Sequence, residues 1–180
     1  MFLLLEALSK AELLALLAAA RAHSERNWLM ILVAYSHALR ASEVVKLQRD
    51  AVKDGHITVA RLKGSLRTVQ PLVADLNPLL NERVGLLAFV ASLPRNQRLF
   101  PVCRQHFWRL VQRYAADAKI PERKRHPHIL KHTMGMQTIH SAGIENVRQY
   151  LGHKSMASTG AYLKVTDAQA SDAIAKALRG

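Results

Sequence analysis

Cysteine is almost absent from this chain: Cys103 is the only one, so no internal disulfide can form and an oxidising compartment is not implied. A cytoplasmic setting is therefore the default expectation. Long apolar runs are missing too. No run, Trp28 to Ala34 included, comes near the ~20 residues a membrane span requires. The start, Met1-Phe2-Leu3-Leu4-Leu5-Glu6, has no basic residue ahead of its apolar stretch and meets a carboxylate at once, which argues against a signal peptide. Internal repeats, low-complexity tracts and Pro/Gly-rich linkers are lacking, so the chain reads as one unit. Acidic residues are scarce, with 13 Asp or Glu against 26 Lys or Arg, a formal charge of +13 over 180 residues. An excess of this size points to a polyanionic partner, either nucleic acid or an anionic surface.

The charge is concentrated. Between Arg95 and Lys131 lie ten Lys or Arg, opposed only by Asp117 and Glu122, and interleaved with Phe100, Phe107, Trp108 and Tyr114. Cations placed along a phosphate backbone displace condensed counterions and supply affinity without reading sequence. The stretch from 104 to 118 reads as one helix whose apolar stripe, with Trp108 and Leu110-Val111 in it, faces a core while Arg109 and Arg113 turn away.

Local signals give a mainly helical chain with one small antiparallel sheet. Ser9-Lys10-Ala11-Glu12 is a capping box opening a helix that runs to Ala22. Asn27 to Leu39 is apolar nearly all round and reads as a buried helix, followed by a short one over Ala41 to Gln48. Then the period changes. Ile57 to Leu62 and Leu66 to Leu72 flank Lys63-Gly64-Ser65, a hairpin with glycine in its turn. Helical patterning returns over about 79–92, 104–118, 128–141, 144–150 and 166–178, punctuated by Pro94, Pro101, Pro121 and Pro127.

Five polar sites stand out on these elements: Arg40 in Ala38-Leu39-Arg40-Ala41-Ser42-Glu43, Lys63 at the hairpin turn, His128-Ile129-Leu130-Lys131-His132-Thr133, Leu151-Gly152-His153, and Tyr162, nine residues beyond His153. Singly, each has an ordinary reading: a surface arginine, a turn lysine, a half-buried tyrosine. His128 and His132, spaced i, i+4, could face a metal. They lack the intervening Glu of H-E-x-x-H and any second cysteine, so no metal or other cofactor is assigned. In this order and spacing the five sites resemble the catalytic domain of the tyrosine recombinases, or phage integrases, from about Leu8 to Tyr162.

The resemblance implies a single catalytic domain over residues 1–180, without the N-terminal core-binding domain that most members carry. It also implies an activity: DNA cleavage and rejoining through a 3′-phosphotyrosine, independent of metal and ATP. By the same resemblance Arg40, Lys131 and His153 hold the scissile phosphate and His128 lies beside the nucleophile. Lys63 protonates the leaving oxygen, Tyr162 attacks, and Glu43 and His132 support. Double-stranded DNA is the implied partner, with Arg61, Arg67, Arg104, Arg109, Arg123, Lys124 and Arg125 as backbone contacts. Self-association as a dimer or tetramer would run through a C-terminal helix over Thr166 to Leu178. The alternatives are a DNA-binding member with weakened chemistry, type IB topoisomerase-like relaxation and, more remotely, a metal-dependent nuclease.

Two positions depart from the family pattern. Lys131 stands where the family has arginine, exchanging a rigid two-donor plane for a point charge. At His37-Ala38, ahead of Leu39-Arg40, the family uses a small residue, often glycine two positions before the arginine, and only a mild effect on the turn is expected.

Overall fold

Residues 6–60 and 67–152 are described by a computed structural model. Helix α1 (Lys10–His23) opens on the expected capping box: the Ser9 hydroxyl accepts from the Glu12 amide at 3.1 Å, and the Glu12 carboxylate accepts from the Ser9 amide at 2.7 Å. Ser24 then serves two helices. Its amide donates to the Ala20 carbonyl at the end of α1, and its hydroxyl accepts from Asn27 to start α2 (Glu25–Ser36). Because α2 is apolar on every side, it buries every residue from Trp28 to Ala34 and packs against α1, α4 (Glu82–Ser92) and α6 (His128–Ala142).

The end of α2 comes earlier than the expected Leu39. His37 occupies the C-cap, and Ala38 adopts φ +50°, a left-handed turn that swings the chain out of the helix. Helix α3 (Ala41–Val44) is correspondingly shorter than the expected Ala41–Gln48.

The sheet has three strands rather than two, β1 (Val52–Lys53), β2 (His56–Val59) and β3 (Thr68–Pro71), in that order and all antiparallel. The extra strand is joined to β2 by Asp54-Gly55, with φ of +50° and +73°, the left-handed pair that matches strand twist in a two-residue hairpin. Strands β2 and β3 pair Val59 with Thr68 and His56 with Pro71, so they run down from the segment that holds Lys63.

Helices α4, α5 (Arg104–Asp117), α6 and α7 (Ile144–Leu151) follow near the expected spans. In α5 the buried positions are Phe107, Leu110, Val111, Tyr114 and Ala115. Trp108 is not among them. It is 43% exposed, because it lies only about 40° around the helix from Arg104 and faces outward with it. No helix among the described residues is long and apolar enough to cross a membrane. The expected helix over Thr166 to Leu178 lies outside the described residues.

Candidate active site

The positive-φ turn at Ala38 has a direct consequence for Arg40. Leu39 donates back to the Ala34 carbonyl at 2.9 Å, and Arg40 emerges in extended conformation as the N-cap of α3. One turn later, the buried Glu43 carboxylate takes it from behind. Oε2 accepts from the Arg40 amide at 2.8 Å and Oε1 from Nη1 at 3.1 Å. The Arg40 side chain is 35% exposed against 1% for Glu43, so the guanidinium is oriented by a desolvated carboxylate and reaches the surface.

Helix α6 brings the next groups. His128 is its first residue and packs edge-on against His132, ring centroids 4.4 Å apart. Partial burial of the His128 ring, reinforced by the positive charges of Lys131, His126 and Arg40, holds its pKa below the usual 6.5. Ala41, the residue after Arg40, lines one open cleft with His128. Lys131 is buried, and its Nζ lies 3.4 Å from the carbonyl of Leu151, the last residue of α7. Gly152 ends α7 at φ +68°, where glycine avoids the Cβ cost, and His153 comes next. The start of α3, the first turn of α6 and the end of α7 therefore converge. Lys63, Arg61, His153 and Tyr162 lie outside the described residues.

The basic residues sort into two groups. Arg104 and Arg109 are exposed, and Arg104 lines an open cleft with Trp108, Ala41, His126 and His128. Trp108 was absent from the candidate residues. Its signal was available in the sequence: an aromatic set off the 107-110-111-114 stripe, between two arginines. Arg67 is exposed at the foot of β3, beside a depression that includes Glu43, Lys46 and Asp50. The three consecutive cations beyond Pro121 are instead engaged within the chain. Arg123 pairs with Glu6, Lys124 Nζ lies 2.8 Å from Glu12 Oε2, and Arg125 Nε donates to the Ile120 carbonyl at 2.6 Å. Burial pushes the Glu12 carboxyl up, but Lys124 and the Ser9 amide outweigh it and hold the group below 4.5. The 122–124 turn is thereby tied to the start of α1.

The model described as "Phage integrase family" matches residues 6–169. The chain belongs to the phage integrase family. It is 32% identical to the tyrosine recombinase XerD of Xanthomonas campestris pv. campestris, over 89% of this chain and 55% of that protein. It thus spans about half the length of that relative. Among solved structures, the XerA recombinase superposes with a TM-score of 0.75 at 21% identity, over 95% of this chain and 62% of that one. The lambda integrase catalytic core gives a TM-score of 0.67 at 16% identity, over 82% of this chain and 91% of that one. The fold of this phage integrase member, mainly helical with a small antiparallel sheet, is that of these catalytic domains.

Proposed function

We propose that this chain is the catalytic domain of a site-specific DNA recombinase that cuts one strand of a duplex and rejoins it to another. The observation that carries the reading is the convergence, in a phage integrase member, of the start of α3, the first turn of α6 and the end of α7, which bear or adjoin Arg40, His128 and Lys131. A phosphodiester resists attack because its oxygens are anionic and its leaving group is an alkoxide. A site of fixed cations answers the first difficulty. Arg40, held by Glu43, and Lys131 stabilise the charge that builds on the non-bridging oxygens, and His153, two residues beyond Leu151, joins them. His128, kept neutral at pH 7 by its surroundings, accepts the proton of Tyr162. The tyrosyl oxygen bonds to phosphorus, the bond to the 5′ oxygen breaks, and Lys63 protonates that oxygen. The products are a 3′-phosphotyrosine and a free 5′-hydroxyl. A 5′-hydroxyl from a second strand reverses the step and conserves the bond energy without ATP.

Replacing arginine by Lys131 keeps the charge at this site, and its burial gives that charge more effect than it has in water. Exposed Arg104, Arg109 and Arg67 supply phosphate contacts along the duplex, and Trp108 lines the cleft beside His128. Exchange needs two bound sites, so at least two protomers assemble on DNA. A cytoplasmic setting, in which exposed Cys103 stays reduced, suits this role. The test is a nicked duplex, selected from a randomised pool by covalent capture, whose short released fragment, the one bearing the free 5′-hydroxyl, diffuses away. The wild-type chain is expected to form a protein–DNA adduct in EDTA, and Tyr162→Phe none. Strand cutting without an adduct, or cutting abolished by EDTA, would overturn the reading.

A further inference from the structure

His37 was expected to perturb the arginine turn only slightly, yet it lies at the centre of a buried polar cluster. Its ring is fully buried, with Nε2 2.7 Å from Glu82 Oε1 and Nδ1 2.7 Å from Gln70 Oε1. The amide nitrogen of Gln70 is committed elsewhere, donating to the Tyr150 carbonyl at 2.8 Å and to the Thr68 hydroxyl at 3.2 Å. That fixes the amide orientation, so Nδ1 donates to Gln70 Oε1. Tyr150 completes the ring of contacts: its hydroxyl donates to the Ser36 carbonyl at 2.9 Å and lies 3.4 Å from His37 Nδ1. Glu82 Oε1 also accepts from the Val73 amide at 2.8 Å.

Four elements meet here: the end of α2, strand β3, the start of α4, and α7. Their sequence neighbours matter. His37 precedes Arg40 by three residues, and Tyr150 precedes Leu151, whose carbonyl receives Lys131. Gln70 sits on β3, which begins five residues after Lys63 in the sequence. An apolar contact would hold these elements together, but it would tolerate sliding. Directional bonds centred on the buried His37, Gln70 and Glu82 restrict the arrangement, since displacement of these side chains orphans a buried donor or acceptor.

Resting on the cleavage reading above, we propose that His37, with Gln70 and Tyr150, is a positioning residue that sets the Arg40 turn against the end of α7 that receives Lys131. Catalytic groups must be held within a fraction of an ångström, and a misplacement of about 1 Å originating away from the chemistry can cost on the order of 10²-fold in rate.

Tyr150→Phe and Gln70→Leu are the variants of choice, because both keep side-chain volume while deleting bonds of the cluster. His37→Ala is less informative, since it leaves Glu82 buried without its partner. Single-turnover adduct formation is measured on the duplex captured by the wild-type chain. It is made once with an ordinary scissile phosphodiester and once with a methylphosphonate, in which a methyl group replaces one non-bridging oxygen and removes the negative charge. Both variants are expected to retain DNA affinity within about two-fold while losing about 10- to 100-fold in rate on the phosphodiester. The loss on the methylphosphonate should be several-fold smaller, because the accurately placed cation has less charge to meet there. Equal losses on both substrates, a loss explained by affinity, or no loss would overturn the proposal. Absence of any wild-type adduct on either substrate would instead overturn the cleavage reading, and this inference with it.

Discussion

Helix α4 crosses α2 at Gly85, and the crossing leaves no room for a methyl group. A Cβ built at Gly85 would sit 2.9 Å from Trp28 Cζ3, 3.0 Å from Trp28 Cη2 and 3.0 Å from Leu29 Cδ2. The Trp28 ring cannot easily step aside. Its Nε1 donates to the Leu79 carbonyl at 3.0 Å, and the Arg21 guanidinium lies 4.5 Å above the ring. Gly85→Ala therefore sets two effects against each other. Helix propensity favours alanine by about 1 kcal/mol. Overpacking a buried contact costs about 1–3 kcal/mol, and two of the three close approaches fall on the pinned Trp28 ring, which places this site at the upper end. The net expectation is a loss of about 1–2 kcal/mol, a fall in Tm of about 2–8 °C for a chain of this size. Thermal and urea denaturation measure it. In a Trp28→Leu background most of the clash is gone, so the same substitution should become neutral or stabilising. A Gly85→Ala variant as stable as wild type, or a destabilisation unchanged by Trp28→Leu, would refute this account of the α2–α4 contact.

Further predictions concern the charged groups. His128 is held below 6.5 by burial and by the charges of Lys131, His126 and Arg40, so adduct formation should decline only as pH falls below 6.5. Lys131→Met should lower the rate by about 10²–10³-fold and move that acid limb upward, because the strongest of the neighbouring charges is removed; pH–rate profiles of both proteins check it. Glu12, held below 4.5, contributes stability that is present above 4.5 and lost as pH drops through its lowered value. Glu12→Gln should thus cost about 1 kcal/mol at pH 7, with the gap to wild type closing on acidification, as urea titrations at several pH values will show.

Much of this molecule can be read from its letters, for identifiable reasons. The α1 capping box, the prolines ahead of α5 and α6 and the period of α5 are local signals, and local physics decides those elements. The motif around Arg40 is legible because Glu43 falls one turn later, where its carboxylate reaches both the backbone and the guanidinium. Strand β1 escaped because two residues carry no alternation, although Asp54-Gly55 was a usable turn signal. Trp108 reads inward by its chemistry, yet its angular position beside Arg104 sets it outward. Arg123, Lys124 and Arg125 look like a basic run in the sequence, but their carboxylate partners lie more than a hundred residues away for the first two. His37, Gln70, Glu82 and Tyr150 share no periodicity or spacing, so only the fold reveals that they meet.

Peptide mapping of the trapped adduct tests the central claim most directly. After nuclease digestion and trypsin, the nucleotide should remain on the peptide Ser155 to Lys164, in which Tyr162 is the single tyrosine. A nucleotide found instead on the peptide bearing Tyr150, Tyr114 or Tyr35, or on a serine, would contradict it.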